Sequence, residues 1–177
     1  LFLLCSIPVV LLLSGEIENQ VKVPSGYVNS ISEFEESIDK QKYHEAYRAL
    51  RSTMEIFWKE SPLILNNVQF VSSDNNNYGI YEPRGSSSFK SGENIYLYIE
   101  PVGYEINKNS KGVHEFGFTA DYSLIDENGK ILAGQKDFAD LNFKSWNFNT
   151  EISLTFTYTF SGFEKGKYKV VTTVIDK

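Results

Sequence analysis

The sequence predicts an antiparallel β protein with an added helical segment, so the fold class is mainly β and α+β overall. From Ile95 to Ile175, apolar and polar residues alternate in short runs, and each run is closed by a turn signal. In the run 152–160 every second residue is apolar and the residues between are serine or threonine, which fits a strand with one buried face. The 177 residues are 41% hydrophobic and 15% aromatic, which is enough to build a buried core.

The N-terminal residues predict export from the cytoplasm. Residues 1–13 are uncharged and predominantly apolar, Ser14 and Gly15 follow them, and the next residues are polar and acidic. This pattern is typical of a secretory signal peptide, and the run is shorter than the roughly 20 residues of a membrane-spanning helix. We therefore predict a signal peptide at 1–15, or an N-terminal anchor if the run is not cleaved, as the only contact of the chain with a membrane.

Cysteine usage favours a bacterial envelope. The only cysteine, Cys5, lies inside the apolar run, so the mature domain would contain no disulfide. An exported domain without disulfides depends on its core alone, which is common in bacterial envelopes. The predicted location is the periplasm or the cell surface.

A helical segment is predicted ahead of the strands. Residues 16–30 are polar and aperiodic, which predicts a tether, and from 31 to 60 apolar residues recur every three or four positions. This spacing predicts an amphipathic helix or a short helical hairpin that packs on the sheet. Ser32 and Glu35 have the spacing of a capping box, and Asp39 is a candidate cap for a second helical start. The apolar stripe of the second part consists of Tyr43, Ala46, Tyr47, Leu50, Met54, Phe57 and Trp58.

Residues 63–177 predict the β domain. Asn128 and Gly129 form a dipeptide that permits the positive φ angles of a type I′ hairpin, so the strands on either side of it are predicted to be neighbours. About seven short antiparallel strands with frequent turns fit an immunoglobulin-like β-sandwich better than a closed barrel. The predicted strands are 65–72, 78–81, 94–100, 115–125, 130–138, 151–160 and 167–176.

Composition and motifs argue against several classes of function. The formal charge of −6, with scattered lysine and arginine, disfavours a nucleic-acid surface. His44 and His114 are the only histidines, and neither has a second ligand at metal-binding spacing. The Gly-Ser-Ser-Ser run at 85–88 lacks the turn that presents a nucleophilic serine. We therefore expect no catalytic residue, no metal and no cofactor, and we do not expect an enzyme.

One strand carries a candidate ligand-binding surface. If the three aliphatic residues of 94–100 face the core, then Tyr96, Tyr98 and Glu100 share the opposite face. Sugars stack on flat aromatic side chains, so these three residues are a candidate carbohydrate platform. The alternative is that the helical segment covers this face and places both tyrosines in a second core layer. We expect the helix to cover them, because both surfaces are aromatic and an uncovered patch would favour aggregation.

Several motifs of turns and strands follow one another from residue 61 onward. They are Ser-Pro-Leu at 61–63, Tyr-Gly-Ile-Tyr-Glu-Pro at 78–83, Phe-Lys-Ser-Gly-Glu at 89–93 before the strand 95–100, the hairpin at 126–129 and the closing strand from Gly-Lys-Tyr at 166–168 to Asp176. The order of these landmarks resembles a family of exported bacterial proteins of unknown function. The resemblance implies an exported protein with an immunoglobulin-like β-sandwich, and it carries over no functional residue.

These features predict a non-catalytic, exported envelope protein that serves protein–protein interaction or structural support. The first alternative is a carbohydrate-binding module that uses exposed aromatic residues, and the second is an enzyme of unrecognised type. The expected partner is accordingly another envelope protein or a glycan, and nucleic acid is not expected.

Overall fold

The computed structural model describes residues 3–4, 24 and 26–177. Apart from one two-residue strand near the N-terminus, the helices come first in the chain and antiparallel strands follow, which confirms the predicted α+β class. The helices are α1 (Tyr27–Asp39) and α2 (Tyr43–Glu60). The strands are β1 (Leu3–Leu4), β2 (Ile64–Val71), β3 (Ser88–Phe89), β4 (Asn94–Val102), β5 (Asn107–Lys108), β6 (His114–Asp126), β7 (Ile131–Ser145), β8 (Leu154–Thr159) and β9 (Tyr168–Asp176).

Six of these strands form two antiparallel sheets that enclose the core of a β-sandwich. The first sheet has the order β2-β4-β8. In the second sheet β6 pairs with β7 and with β9, and the short β5 pairs with the start of β6. The two-residue strands β1 and β3 pair with each other. The buried core includes Ile95, Leu97, Ile99, Phe116, Phe118, Ala120, Leu154, Phe156 and Tyr158.

Two of the predicted strands differ from the structure by more than three residues. The segment 78–81 is not a strand, because Asn77 and Ile80 close a tight turn in which the N–H of each donates to the carbonyl of the other at 2.9 Å. Strand β7 continues past the predicted end at 138. Pairing with β6 is interrupted at a bulge at Asp137, which has a φ of 49°, and it resumes at Ala139. At the bulge the Asp137 N–H donates to the Asp121 carboxylate at 2.8 Å, so the strand stays attached to β6 across the interruption.

The predicted hairpin at Asn128 and Gly129 is confirmed as the link between two neighbours, β6 and β7. Its turn is not type I′, since of the two residues only Gly129 has a positive φ, of 80°. The Gly129 N–H donates to the Asp126 carbonyl at 3.1 Å, and the Asp126 carboxylate accepts the N–H groups of Asn128 and Lys130 at 2.9 Å. A turn closed by one left-handed glycine is the usual three-residue alternative.

Helix α1 begins earlier than predicted, at Tyr27, so 27–30 belong to the helix and not to the tether. Ser32 and Glu35 therefore lie inside the helix and do not form a capping box at its start. The earlier start follows from contacts with α2, because the Tyr27 ring packs on the Phe57 ring with centroids 5.0 Å apart. Such a contact between helices is not visible in local spacing.

The helical segment is a hairpin of two helices. Asp39 is the last residue of α1, and Lys42 precedes α2, so the predicted cap at Asp39 is wrong. Neither described helix is long and apolar enough to cross a membrane. The predicted signal peptide at 1–15 lies outside the described residues except for the backbone of β1, as does most of the predicted tether at 16–30.

The hairpin is joined to one end of the sandwich by Trp58. Its indole N–H donates to the Tyr104 carbonyl at 2.8 Å, and its ring lies edge-on to the rings of Tyr104 and Phe148. The Arg51 guanidinium donates to the Phe148 carbonyl at 3.0 Å. Gly103 allows the closest approach, because a Cβ at this position would lie 2.3 Å from the Pro62 carbonyl oxygen. The junction is therefore closely packed.

The two tryptophans provide a matched test of this junction. Trp58→Ala should lower the free energy of unfolding by about 3–5 kcal/mol, since it leaves a cavity and removes the donor to Tyr104. Trp146→Ala should change the same quantity by less than about 0.5 kcal/mol, because Trp146 is 77% exposed. Denaturant unfolding followed by circular dichroism measures both, and equal losses would contradict the proposed anchoring role of Trp58.

Two glycine positions allow the energetic cost of steric overlap to be measured separately from the cost of backbone strain. Gly103 and Gly129 both have a positive φ, so replacement by alanine strains both, at about 1 kcal/mol each. A Cβ at Gly129 meets nothing within 4 Å, whereas a Cβ at Gly103 overlaps backbone. Gly103→Ala should therefore destabilise the protein by a further 1–3 kcal/mol or so relative to Gly129→Ala in the same unfolding assay. Similar values for the two variants would argue against the close contact with Pro62.

Candidate functional site

The candidate carbohydrate residues share one face of β4, as predicted, but two of them are not exposed. The aliphatic residues between them belong to the core, so the alternation along the strand is as expected. Tyr98 is fully buried, Glu100 is 5% exposed and Tyr96 is half-buried. In this structure they do not form a flat aromatic platform open to solvent.

The cover over Tyr98 and Glu100 is the 72–83 loop, which follows β2. This loop returns alongside the strand that it leaves, since the Ser72 N–H donates to the Glu82 carbonyl at 2.9 Å. The Tyr81 ring lies on the Tyr98 ring with centroids 4.3 Å apart. A second layer of packing therefore lies outside the first sheet.

A network of hydrogen bonds joins this loop to the buried carboxylate. Glu100 Oε1 accepts the Tyr98 hydroxyl at 2.6 Å and the Gly79 N–H at 3.1 Å. Glu100 Oε2 accepts the Asn67 amide at 2.5 Å. Asn67 reaches the carboxylate because it has a φ of 48° and lies in a register shift of β2 against β4. The Tyr98 hydroxyl is also 3.1 Å from the Asn77 carbonyl.

Burial and hydrogen bonding set the charges of this network. Burial raises the pKa of Tyr98 to about 12, and its hydrogen bond to Glu100 adds to the increase. Burial also raises the pKa of Glu100, but hydrogen bonds from Tyr98, Asn67 and Gly79 outweigh it and hold that pKa below its usual value. None of the salt bridges among the described residues includes Glu100. The network is thus a carboxylate held by neutral donors, and it fixes the loop.

The expectation that the helix covers Tyr96 and Tyr98 is wrong. Helix α2 contacts the end of the sandwich through Trp58 and Arg51, and the 72–83 loop covers Tyr98. The physical reason is the short link, because only 61–63 separate α2 from β2. A link of three residues does not carry the helix across to the outer face of β4.

Most of the apolar stripe of α2 is exposed, which the sequence analysis missed. Helix α2 packs on α1 through its small residues, and Ala46, Ala49 and Thr53 are buried there, with the Thr53 hydroxyl 2.9 Å from that of Ser30. Five large apolar residues lie between this contact and the contact of Trp58 with the sandwich, and each is between 37% and 68% exposed. We call this set the α2 seam: Tyr43, Tyr47, Leu50, Met54 and Phe57.

The α2 seam has a spacing that could have identified it. Its members follow one another at intervals of four, three, four and three residues, which is a strict heptad pattern. A helix that buries a face on a sheet usually shows a wider apolar stripe. At one end the seam meets α1, because the Phe57 ring contacts the Tyr27 ring. Helix α1 also carries an exposed apolar residue, Ile38, which is 41% exposed.

A cleft of about 790 Å³ lies between the C-terminal half of α2 and the end of the sandwich. Its carboxylate Asp176 accepts the Glu105 N–H at 2.7 Å and the Lys177 N–H at 3.1 Å. Burial raises the pKa of Asp176, and these two backbone bonds act against the increase. His114 Nδ1 also lines this region and is buried without a hydrogen-bond partner. The Asp176 carboxylate of the cleft thus connects chain segments.

Within the described part of the chain, no group of three or more histidine, cysteine, aspartate or glutamate residues is placed to hold a metal ion. The chain matches no model of a known protein family and no curated protein. The basis for assigning a function is therefore the geometry of the described residues.

The buried network predicts that the Tyr98 hydroxyl contributes to the stability of the protein. Tyr98→Phe should lower the free energy of unfolding by about 1–3 kcal/mol at pH 7, because it removes a donor from a buried carboxylate. Tyr96→Phe is the control, since the Tyr96 hydroxyl accepts only an exposed bond from Asn94, and it should change stability by less than about 0.5 kcal/mol.

The effect of Tyr98→Phe should depend on pH. Because folding lowers the pKa of Glu100, this carboxylate stabilises the protein fully above its ordinary pKa of 4.5, and the contribution is lost as the pH falls through the lower folded value. The difference in stability between the parent and Tyr98→Phe should therefore shrink when denaturant unfolding is repeated at pH 3. A difference that stays constant with pH would show that the acceptor is not charged.

Proposed function

We propose that this chain is a non-catalytic exported protein of the bacterial envelope that binds another protein through its α2 seam. The observation that supports this is the exposure of five large apolar side chains on one helix face. With about 150–250 Å² for each fully exposed side chain, the exposed fractions amount to roughly 500 Å². This is near the upper end of the apolar patches that monomeric proteins expose, and such patches commonly mark interaction sites.

The composition of the seam also supports a protein partner. Tyrosine, phenylalanine and methionine are the residues that protein interfaces enrich in their buried centre, whereas lysine, glutamate and aspartate are depleted there. The seam contains two tyrosines, one phenylalanine, one methionine and one leucine, and no charged residue. A partner that covers it would bury apolar surface without desolvating a charge.

The rest of the fold supports a scaffold role. Trp58 fixes the hairpin to the sandwich, so the seam is presented on a closely packed base. The buried carboxylate Glu100 holds the 72–83 loop and is 5% exposed, which leaves it poorly placed to act on a substrate. These observations favour a binding protein over an enzyme.

The carbohydrate alternative receives less support. Of its three residues, Tyr98 and Glu100 are buried, and Tyr96 alone is partly exposed. Sugar binding by stacking needs an aromatic face that is open to solvent, and the face of Tyr98 is occupied by Tyr81.

Export and family membership are part of the same proposal. The apolar run at 1–13, with Ser14 and Gly15 after it, supports export to the periplasm or the cell surface. The landmarks from 61 to 176 support membership of the exported bacterial family of unknown function that they resemble, and with it an immunoglobulin-like form of the sandwich. The partner would then be an envelope protein.

Site-specific photo-crosslinking in cells tests the binding role. A photoreactive phenylalanine in place of Tyr47 should give a cross-linked product of higher mass in the envelope fraction, because the seam is covered by a partner. The same residue in place of Ser52, which is exposed on the opposite, polar side of α2, is the control and should give none. The absence of a product at position 47, or equal yields at both positions, would argue against the proposed function.

A further inference from the structure

We propose that the partner of the α2 seam is a second copy of this chain, with the two α2 helices packed antiparallel about a two-fold axis at Leu50. This inference rests on the proposed function and names the partner. It is carried by the spacing of the seam, by its symmetry along the helix and by the position of the sandwich.

The spacing of the seam specifies a helix as the occupant. Intervals of four, three, four and three residues place all five side chains along a narrow line that repeats every 3.5 residues. This is the pattern by which one helix packs along another, and it is narrower than the stripe of a helix that docks on a sheet. Of the helices that the structure describes, α1 is the only other one, and it packs mainly on a different side of α2, at Ala46, Ala49 and Thr53. The seam is therefore open to a helix of a second molecule.

The seam is self-complementary when it is reversed. Its centre is Leu50, which meets Leu50 of the second copy at the two-fold axis. Tyr47 then faces Met54 of the second copy, and a thioether beside an aromatic ring is a favourable contact. Tyr43 faces Phe57 of the second copy as an aromatic pair. A two-fold interface requires this kind of complementarity, because the same surface is used on both sides.

The position of the sandwich selects the antiparallel arrangement. The sandwich contacts the middle of α2 through Arg51 and its C-terminal end through Trp58. In a parallel pair both sandwiches would lie at the same end of the helices, and each chain carries a formal charge of −6. An antiparallel pair places the two sandwiches at opposite ends, which reduces the repulsion between the two negatively charged chains. It also brings the positive end of each helix dipole next to the negative end of the other, which is favourable.

The area of the seam is sufficient for a specific dimer. Two seams of roughly 500 Å² bury about 1,000 Å² together, which is the lower limit expected of a specific interface. Ile38 and Val28 of α1 are also exposed apolar residues of the same hairpin. The predicted dimer is therefore of modest affinity and depends on concentration.

Cysteine cross-linking tests the arrangement in the full chain with Cys5→Ser as background. Leu50→Cys should form a disulfide-linked dimer on mild oxidation, because the two copies meet at this residue. Tyr43→Cys should not cross-link to itself, since the two copies of this residue lie about 20 Å apart along an antiparallel pair. A mixture of Tyr47→Cys and Met54→Cys chains should give the mixed dimer. Ser52→Cys on the polar side of α2 is the control and should stay monomeric.

Sedimentation velocity over a concentration series tests the affinity. The parent chain should show a monomer–dimer equilibrium, and Leu50→Glu should raise its dissociation constant about 100-fold or more, because a charge would be buried without a partner. Ser52→Glu adds the same charge on the opposite side of α2 and should leave the constant unchanged. Both residues are exposed in the described structure, so circular dichroism should show that both variants fold.

The outcomes separate this inference from the proposed function. A parent that stays monomeric throughout the series, a Leu50→Cys chain that does not cross-link, or a Tyr43→Cys chain that cross-links to itself overturns the antiparallel dimer. If position 47 still cross-links to a different protein in cells, the second copy is the wrong partner and the proposed function stands. If the chain still dimerises with Leu50→Glu, the dimer contact lies in another part of the chain, such as the apolar run at 1–13, and the inference is also overturned.

Discussion

The contact of Trp58 with the end of the sandwich determines which surfaces of this protein are buried and which are exposed. Its indole group is enclosed by Tyr104 and Phe148 and donates to a backbone carbonyl, so it combines apolar burial with a satisfied polar atom. The short link 61–63 holds α2 beside this point. One side of α2 is thereby taken by the sandwich and another by α1, and the seam is left between them. The exposed face is thus a consequence of the docking geometry.

Much of the fold could be predicted from the sequence because it depends on local patterns. The period of two along β4 and β8 identified the core face, and Asn128 with Gly129 identified β6 and β7 as neighbours. The helical segment was likewise visible in its period of three to four residues. Each of these patterns depends on local geometry, which side of an element is buried or where a turn lies, and consecutive residues are enough to show it.

The candidate site could be predicted only in part, because it depends on contacts between distant residues. The alternation of side chains along β4 predicted that Tyr98 and Glu100 share one face, but it does not predict which segment covers that face. That cover depends on Gly79, which bonds to both residues across the loop, and on the left-handed conformation of Asn67. The packing surface of α2 was predicted wrongly for the same reason. Its large apolar residues suggested that they pack on the sheet, whereas the small residues Ala46 and Thr53 are the ones buried, against α1.

The bulge at Asp137 affects how this molecule can associate. Strand β7 is long and lies at the edge of its sheet, where unpaired backbone groups offer a template for a strand of another molecule. At the bulge the backbone turns to a left-handed residue, with the charged side chains of Lys136 and Asp137 exposed beside it. A bulge twists an edge and breaks the row of regular donors and acceptors. Open-ended growth of strand upon strand is therefore disfavoured along β7, and assembly can remain finite.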